Sequence, residues 1–156
     1  MRNSAPVAPT TPEAQLQWLV DRAVIADLQA AFGRAMDSGD WDAYGTLLHE
    51  DMEFAVNGRV LSSGRQNSVD TARSAMSRYK GIWHHPGNPG IEIDGDRAQT
   101  RSYSMGVHML DERDLNKHST GAGWYDCELV RTTDGWKFRS VNFTVVWTAG
   151  ENARPA

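Results

Sequence analysis

Apolar residues recur at spacings of three and four along the first part of the chain, at Leu16, Val20, Val24, Leu28, Ala31 and Ala35. The apolar side is extended by Trp18, Ile25 and Phe32. This spacing predicts an amphipathic helix that is buried over much of its circumference. A hydroxyl cap at Thr10 or Thr11, followed by Pro12, predicts its start. Gly39 predicts its end, because glycine readily adopts the left-handed conformation that stops a helix.

Two shorter helices and a hairpin are predicted next. The second helix runs from about Trp41 to His49, with apolar residues on one side. Three apolar residues then alternate with polar or small ones, at Met52, Phe54 and Val56. Asn57-Gly58 follows and favours a tight hairpin turn. A third helix is marked by Val69, Ala72, Ala75, Met76 and Tyr79, and we expect it to end at Gly81.

After Gly81 the pattern changes to the two-residue alternation of β-strands. An extended segment from Ile82 to His85 is followed by prolines and glycines at 86–90, which predict a bulge or a sheet corner. In the next strand, Ala98 to Leu110, one face carries Tyr103, Met105, Val107 and Met109. The other face carries Thr100, Ser102 and Ser104. The charged residues 111–117 are predicted to form a loop.

The last predicted strand changes character along its length. It follows a turn at Asp134-Gly135 and ends near Trp147. One of its faces begins with Lys137 and Arg139 and continues with apolar residues at Val141, Phe143, Val145 and Trp147. We therefore expect the strand to pass from an exposed setting into a buried one, as at a subunit interface or the mouth of a cavity.

Helices followed by long antiparallel strands predict an α+β fold. In this fold, three N-terminal helices pack on one face of a strongly curved, mostly antiparallel sheet. Bending at bulges would give a cone-shaped barrel, whose interior is a natural pocket for a small molecule. The length of 156 residues suits one domain. We expect that domain over residues 12–148, between flexible arms at 1–11 and 149–156.

Composition and charge exclude several classes of protein. The chain has 16 Lys and Arg against 20 Asp and Glu, and it has no basic stripe, so we expect no nucleic-acid partner. Its one cysteine, Cys127, excludes an internal disulfide and an all-thiolate zinc site. No apolar run approaches the ~18 residues of a membrane span, and the start lacks the apolar block of a signal peptide. These features predict a cytoplasmic protein without membrane partners.

Two residues could carry acid–base chemistry. Asp37 is predicted at the C-terminal end of the first helix, where the helix dipole disfavours ionisation and so suits a group that holds a proton. On position alone, an ordinary turn is the favoured interpretation of Asp-Ser-Gly, because aspartate is common in turns. His84 has a histidine neighbour, and only one of two adjacent strand residues can enter a given cavity. Its imidazole suits proton abstraction at neutral pH, but a structural histidine also fits this position.

Motifs of metal and cofactor sites are absent from the sequence. The chain lacks HExxH, HxH and CxxC, and its other histidines are scattered. It also lacks the GxSxG, P-loop and GxGxxG motifs of hydrolases and nucleotide-binding proteins. We therefore expect neither a metal nor an organic cofactor.

Several longer segments together carry a family pattern. They are Val24-Ile25-Ala26-Asp27-Leu28, Ala35-Met36-Asp37-Ser38-Gly39-Asp40-Trp41-Asp42, His84-His85-Pro86-Gly87-Asn88, Ile91-Glu92-Ile93-Asp94-Gly95-Asp96-Arg97-Ala98, Gly123-Trp124-Tyr125-Asp126 and Asp134-Gly135-Trp136-Lys137-Phe138. Their order resembles the SnoaL-like proteins of the nuclear-transport-factor-2-like superfamily. The resemblance covers about residues 14–147 and implies the cone fold of that superfamily, commonly assembled as dimers or trimers.

Within this family the pattern is most similar to scytalone dehydratase, bile-acid 7α-dehydratase and hexachlorocyclohexane dehydrochlorinase. Those enzymes pair an Asp at the end of the first long helix with a His on the second strand, and Asp37 and His84 match these positions. The resemblance implies that His84 takes a proton from carbon while Asp37 holds the imidazole tautomer. A leaving group such as water or a halide then departs without metal or organic cofactor.

Some positions differ from those relatives. Met36 stands where scytalone dehydratase has a tyrosine, and Phe32 stands where the dehydrochlorinase has a lysine. The second histidine of scytalone dehydratase falls at Gly123, so that acid is missing unless His108 or His118 folds in. Candidate substrate contacts are the apolar Phe32, Met36 and Trp41 and, for a leaving or carbonyl oxygen, Tyr103, Tyr125 and Asn142.

These observations predict a cofactor-independent lyase or isomerase, dehydratase-like, that acts on a hydrophobic cyclic small molecule and forms a homo-oligomer. One alternative is a polyketide-type cyclase of secondary metabolism, in which Phe32 and Met36 matter more than the Asp–His pair. Another is a ligand-binding protein without catalysis, or one similar to the small subunit of a ring-hydroxylating dioxygenase. That alternative predicts that Asp37→Asn leaves function unchanged.

Overall fold

The structure is a computed structural model that describes residues 6–151. Its helices are α1 (Pro12–Ser38), α2 (Trp41–Thr46) and α3 (Arg65–Met76). Its strands are β1 (Leu48–Val56), β2 (Arg59–Ser63), β3 (Gly81–Asp94), β4 (Arg97–Met109), β5 (His118–Thr132) and β6 (Gly135–Gly150). The second and third helices are shorter than predicted, because α2 gives way to β1 at Leu48 and α3 ends several residues before Gly81.

The six strands form one mixed sheet in the order β2-β1-β6-β5-β4-β3. All neighbouring strands are antiparallel except β1 and β6, which run parallel. The predicted α+β fold, with helices packed on a mostly antiparallel sheet, is confirmed. The sheet does not close into a barrel, because β2 and β3 remain as its two edges.

Both predicted ends of α1 are confirmed. The Thr11 hydroxyl accepts a hydrogen bond from the Ala14 amide at 3.4 Å. At the other end Gly39 has a φ of 68°, and its N–H donates to the carbonyls of Ala35 and Met36. This left-handed glycine stops the helix directly after Ser38 and so holds Asp37 in the last turn.

The buried face of α1 agrees with the prediction only in part. It is formed by Asp21, Ile25, Gln29, Phe32, Gly33, Ala35 and Met36. By contrast, Leu16 and Val20 are 65% and 49% exposed. The periodicity indicated the helix correctly, and Ile25, Phe32 and Ala35 are buried as predicted. The polar Asp21 and Gln29, however, share the buried face, and the first apolar residues of the stripe face solvent.

Strand β4 buries its polar face. Its hydroxyl-bearing face, with Thr100, Ser102 and Ser104, is buried. Its apolar face points away, and Tyr103 on that face is 59% exposed. The layer between α1 and β4 is therefore partly polar, which is unusual for a core and typical of a binding cavity.

Bulges interrupt the sheet in several strand pairs, among them β3–β4 and β5–β6. The pairing of β3 with β4 shifts between Gly87 and Gly90, which confirms the predicted interruption. In β6, Phe138 and Ser140 pair with consecutive β5 residues, so Arg139 has no partner on β5. The extra residue reverses the alternation, and Phe138 and Val141 are both about 1% exposed. The predicted passage of this strand from an exposed to a buried setting is wrong: Trp136 and Phe138 near its start are buried, whereas Val146 and Trp147 near its end are 52% and 45% exposed.

A buried carboxylate joins α1 to the β5–β6 end of the sheet. Asp21 is 4% exposed and accepts hydrogen bonds from Arg131 at 2.7 and 2.6 Å and from the Trp136 indole at 3.0 Å. The Arg131 hydrogen bonds lower the pKa of Asp21 from 3.8 to about 2, although burial acts in the opposite direction. Arg131 also pairs through Nε with Asp96, at 2.9 Å on the surface.

The ends of the predicted domain are defined only in part. Strand β6 continues to Gly150, so the first two residues of the predicted tail 149–156 belong to the sheet. Of the predicted arms, residues 1–5 and 152–156 lie outside the described residues. Within residues 6–151, none of the helices is long and apolar enough to cross a membrane.

Candidate active site

The predicted acid and imidazole lie in direct contact. Asp37 stands in the last turn of α1, and His84 stands on β3. The Asp37 Oδ1 and His84 Nδ1 atoms are 2.6 Å apart. The other oxygen, Oδ2, accepts a hydrogen bond from the backbone N–H of His84 at 3.0 Å. One residue thus binds both carboxylate oxygens, and this fixes the imidazole against the helix end.

The two members of the pair face different spaces. The His84 side chain is 7% exposed and borders a small cavity between α1 and the sheet. The Asp37 side chain is 23% exposed and borders an open groove of about 280 Å³ beside α3. The inner cavity has a volume of about 20 Å³, enough for one water molecule. Met36 borders both spaces and separates them.

Aromatic rings form the apolar part of the cavity wall. The Phe32 ring centroid lies 5.1 Å from that of Tyr44, 5.1 Å from that of Phe138 and 6.0 Å from that of Tyr125. Burial raises the pKa of Tyr125, so its phenol stays protonated and can donate a hydrogen bond. Of the predicted substrate contacts, Phe32, Met36 and Tyr125 therefore meet at this cavity.

A second histidine, His108, lies beside His84. The two imidazole centroids are 5.1 Å apart, and the rings meet edge to face. His108 Nδ1 lies 3.2 Å from the Ser119 carbonyl, which can only accept, so Nδ1 carries the proton. Its buried Nε2 has no hydrogen-bond partner within residues 6–151. Burial, and then the nearby His84, lower the pKa of His108, which favours the neutral ring.

The role of His108 was left open by the sequence, because the resemblance placed the second histidine at Gly123. The alternation along β4 could have located it. Thr100, Ser102, Ser104, Gly106 and His108 occupy every second position and so share one face. Gly106 lies directly opposite His84 in the pairing of β3 with β4. A histidine two residues further along therefore lies beside His84, although it is not among the residues that line the cavity.

Gly106 leaves the space that the two imidazoles fill. A Cβ at this position would lie 3.0 Å from His84 Cδ2 and 3.1 Å from His108 Cε1. We expect Gly106→Ala to lower the free energy of unfolding by about 1–3 kcal/mol, because a methyl group there would overpack the buried rings. The measurement is urea unfolding at neutral pH.

Gly121→Ala is the matched control for this prediction. Gly121 pairs with Gly106 across the β4–β5 register, and a Cβ on it meets no described atom within 4 Å. We expect Gly121→Ala to leave stability unchanged or slightly higher. Equal effects of the two substitutions would contradict the crowding at Gly106.

Three other candidate positions lie away from the cavity. Tyr103 stands on the opposite face of β4 and borders an outer groove with His85 and Trp124. Asn142 accepts a hydrogen bond from the Gly58 amide at 2.9 Å and so supports the β1–β2 turn. Tyr103 and Asn142 are thus not placed to bind an oxygen near His84. Trp41 borders the groove beside Asp37 rather than the inner cavity.

The remaining histidines are also accounted for. The His85 ring stacks on Trp83 at 5.5 Å, on the face of β3 opposite His84, as strand alternation predicts. His118 Nδ1 lies 2.8 Å from the Thr120 hydroxyl. Among the described residues, the group that could hold a metal ion is His49, Glu50 and Asp51. These three consecutive residues of β1 border neither the cavity nor the groove beside Asp37.

Comparison with known proteins identifies the family and supports the fold. A family model described as a SnoaL-like domain matches residues 17–142. A solved structure described as a "Putative Scytalone Dehydratase" from Novosphingobium aromaticivorans has a TM-score of 0.77 and 22% identity, over 88% of this chain and 92% of that chain. A hexachlorocyclohexane dehydrochlorinase of type 2 has a TM-score of 0.78 and 22% identity, over 90% and 96%.

A further solved structure supports the fold. It is an NTF2-like protein with a cystatin-like fold from Novosphingobium aromaticivorans, with a TM-score of 0.68 and 28% identity over 86% of this chain and 87% of that chain. The comparison with curated proteins gives no match. The resemblance inferred from sequence motifs is confirmed by the family model and by these structures.

Proposed function

Since the chain belongs to the SnoaL-like domain family, we propose that it is a cofactor-independent lyase or isomerase of the dehydratase type. The observation that carries this proposal is the 2.6 Å contact between Asp37 and His84 at the wall of a buried cavity. The dehydratase-like and dehydrochlorinase-like structural neighbours support the same class of reaction. The substrate is a hydrophobic cyclic small molecule, because aromatic and aliphatic side chains such as Phe32, Met36 and Phe138 line the cavity. The cavity of about 20 Å³ is too small for a ring, so these side chains must move aside when the substrate binds.

His84 acts as the general base in this proposal. The Asp37 carboxylate accepts the Nδ1 proton, so the lone pair of the neutral imidazole is on Nε2. Nε2 takes a proton from a substrate carbon, and the electrons of that C–H bond form a double bond to the neighbouring carbon. The leaving group departs from that neighbour with its bonding pair, as a halide, or as hydroxide that takes up the proton from the imidazolium. Asp37 stabilises the imidazolium charge.

His108 has a binding role in the same proposal. Its Nδ1 proton is directed to the Ser119 carbonyl, so Nε2 can accept a hydrogen bond but cannot donate one. It can therefore hold a hydroxyl group of the substrate beside His84. Tyr125, whose phenol stays protonated, can donate a hydrogen bond to a leaving or carbonyl oxygen, as can the hydroxyl groups of Ser102 and Ser104 in the same wall.

Assembly as a homo-oligomer, a dimer or a trimer, belongs to this proposal as well. Three aromatic residues on β3, β4 and β6 are about half exposed, at 50% for Trp83, 59% for Tyr103 and 45% for Trp147. Large exposed aromatic side chains are typical of protein interfaces. A second copy of the chain would cover them.

Asp37→Asn tests the proposal. The probe is 5-nitrobenzisoxazole, a bicyclic compound that loses a ring proton to a base while its N–O bond breaks to give a coloured cyanophenolate. We expect wild-type protein to accelerate this elimination and Asp37→Asn to slow it about 10²-fold or more, because an amide no longer holds the tautomer or stabilises the imidazolium. Absorbance of the phenolate gives the rate.

Asp42→Asn serves as the control for Asp37→Asn. Asp42 is exposed in the first turn of α2, five positions further along the chain. Its replacement should leave the rate within about twofold, since surface charges contribute little. Wild-type elimination that survives Asp37→Asn undiminished would favour the cyclase or binding-protein alternatives, in which the apolar wall at Phe32 and Met36 is decisive.

A further inference from the structure

The cavity has a polar end that the proposed proton transfer does not use. Gln29 is 7% exposed on the buried face of α1 and borders the cavity. Its Nε2 donates a hydrogen bond to the Thr100 hydroxyl at 2.7 Å. Its Oε1 is buried and has no hydrogen-bond partner among residues 6–151. A buried amide oxygen without a partner is rare in folded proteins, because it loses its hydration without replacement.

The orientation of the Gln29 carboxamide is fixed by Thr100. The Thr100 hydroxyl accepts a hydrogen bond from Gln29 Nε2 at 2.7 Å. Burial raises the pKa of the Cys127 thiol, which pairs with Thr100 across the sheet, to about 12, and Thr100 acts against this shift. Because the amide nitrogen donates to Thr100, the amide oxygen is the atom left without a partner among the described residues.

Hydroxyl groups connect this polar end to His84. Ser102 and Ser104 both border the cavity and are 3% and 5% exposed. They lie on β4 between Thr100 and Gly106, the residue opposite His84. A core built only for stability would place apolar side chains along this row. A row of hydroxyl groups that ends at a free carbonyl oxygen is instead suited to a ligand with polar substituents.

We propose that Gln29 Oε1 is a specificity site that accepts a hydrogen bond from the substrate. The substrate class is a hydrophobic ring compound that carries a hydroxyl or amino group away from its reacting carbon. The donor binds at Gln29 while the reacting carbon lies at His84. This inference rests on the proposed function for the reacting end, and its binding test does not require turnover.

The test compares two ring compounds of nearly equal shape, p-cresol and p-xylene, in which a hydroxyl replaces a methyl group. Binding to wild-type protein and to Gln29→Met is followed by NMR titration of the Ser102 and Ser104 amide signals. We expect the affinity of p-cresol relative to p-xylene to fall about tenfold in Gln29→Met, because the acceptor for the hydroxyl is lost. An unchanged ratio, or a wild-type protein that binds neither compound, overturns the proposal.

Two further variants sharpen this test. Gln66→Met is the matched control, because Gln66 is an exposed residue of α3 that hydrogen-bonds Asp70. It should leave the affinity ratio unchanged. Thr100→Val releases the Gln29 amide while keeping the volume of the side chain, and we expect it to lower the ratio several-fold. This second variant tests the proposal even where Gln29→Met does not fold.

His84→Asn separates this inference from the proposed function. His84 lies at the other end of the cavity, so the p-cresol to p-xylene ratio should be the same in this variant as in the wild type. A ratio that depends on Gln29 together with elimination that does not depend on His84 would overturn the proposed function alone. An affinity ratio that does not depend on Gln29, together with elimination that does depend on His84, would overturn the role of Gln29 alone.

Discussion

His84→Asn is expected to slow the elimination of 5-nitrobenzisoxazole by about 10²–10⁴-fold, the usual loss when a general base is removed. This range corresponds to roughly 3–5 kcal/mol of activation free energy. Asparagine can still hydrogen-bond Asp37 but cannot take up a proton, so the fold is retained while the base is lost. The rate constants are measured under the same conditions for both proteins, with circular dichroism to confirm folding.

The double variant Asp37→Asn with His84→Asn gives a more specific result. We expect it to be no slower than His84→Asn alone, because Asp37 acts only through the imidazole. His49→Asn is the matched control, since His49 lies on β1 and bonds the Asp51 amide away from the cavity. A His84→Asn protein that keeps the wild-type rate, or a His49→Asn protein that loses it, would place the base elsewhere.

Asp21→Ala is expected to lower the free energy of unfolding by about 3–5 kcal/mol, as is usual when one partner of a buried ion pair is removed. The loss leaves the Trp136 indole N–H, on a residue that is 3% exposed, without its acceptor. It also leaves Arg131 with only its surface partner, Asp96. Urea unfolding of the wild type and the variant measures the difference.

Asp96→Ala is the control, because Asp96 pairs with the same arginine but its side chain is 81% exposed. We expect it to cost no more than about 1 kcal/mol, as surface ion pairs do. Equal costs for the two variants would show that burial of Asp21 contributes nothing.

The Asp21 carboxylate also makes the free energy of unfolding depend on pH in the acid range. The Arg131 hydrogen bonds lower the pKa of Asp21 from 3.8 to about 2, so the unfolded chain binds its proton at higher pH than the folded protein does. The stabilisation is therefore complete above about pH 5 and is lost as the pH falls towards about 2. Its size is roughly 2 kcal/mol. The Asp21→Ala variant should lack this part of the acid sensitivity.

Local sequence patterns predicted the elements of the fold but not all of their orientations. The cap at Thr11, the stop at Gly39 and the interruption after Pro86 depend on neighbouring residues, so they could be inferred from short segments. The buried faces of α1 and β4 depend on what the two elements enclose. Because they enclose a partly polar cavity, the apolar spacing along α1 wrongly placed Leu16 and Val20 on the buried side, and the alternation along β4 did not show which face is buried.

The candidate site was predictable to a similar degree. Asp37 and His84 are 47 positions apart, and neither periodicity nor spacing brings them together; the family resemblance did. The pattern could not locate Gln29, because a glutamine on a helix is usually exposed. Tyr103 was proposed as a substrate contact because aromatic residues are common in binding sites, but it lies on the outer face of the sheet.

The two attachments of α1 decide how a molecule can reach His84. The helix is roughly 40 Å long, and it is tied to Arg131 in its first half and to His84 at its end. Swinging it off the sheet would break a buried ion pair or the contact that orients the base. Met36, in contrast, has three rotatable bonds and forms the partition between groove and cavity. We therefore expect ligand entry to follow rotation of Met36 and its neighbours in the cavity wall, with no opening of a helix before each turnover.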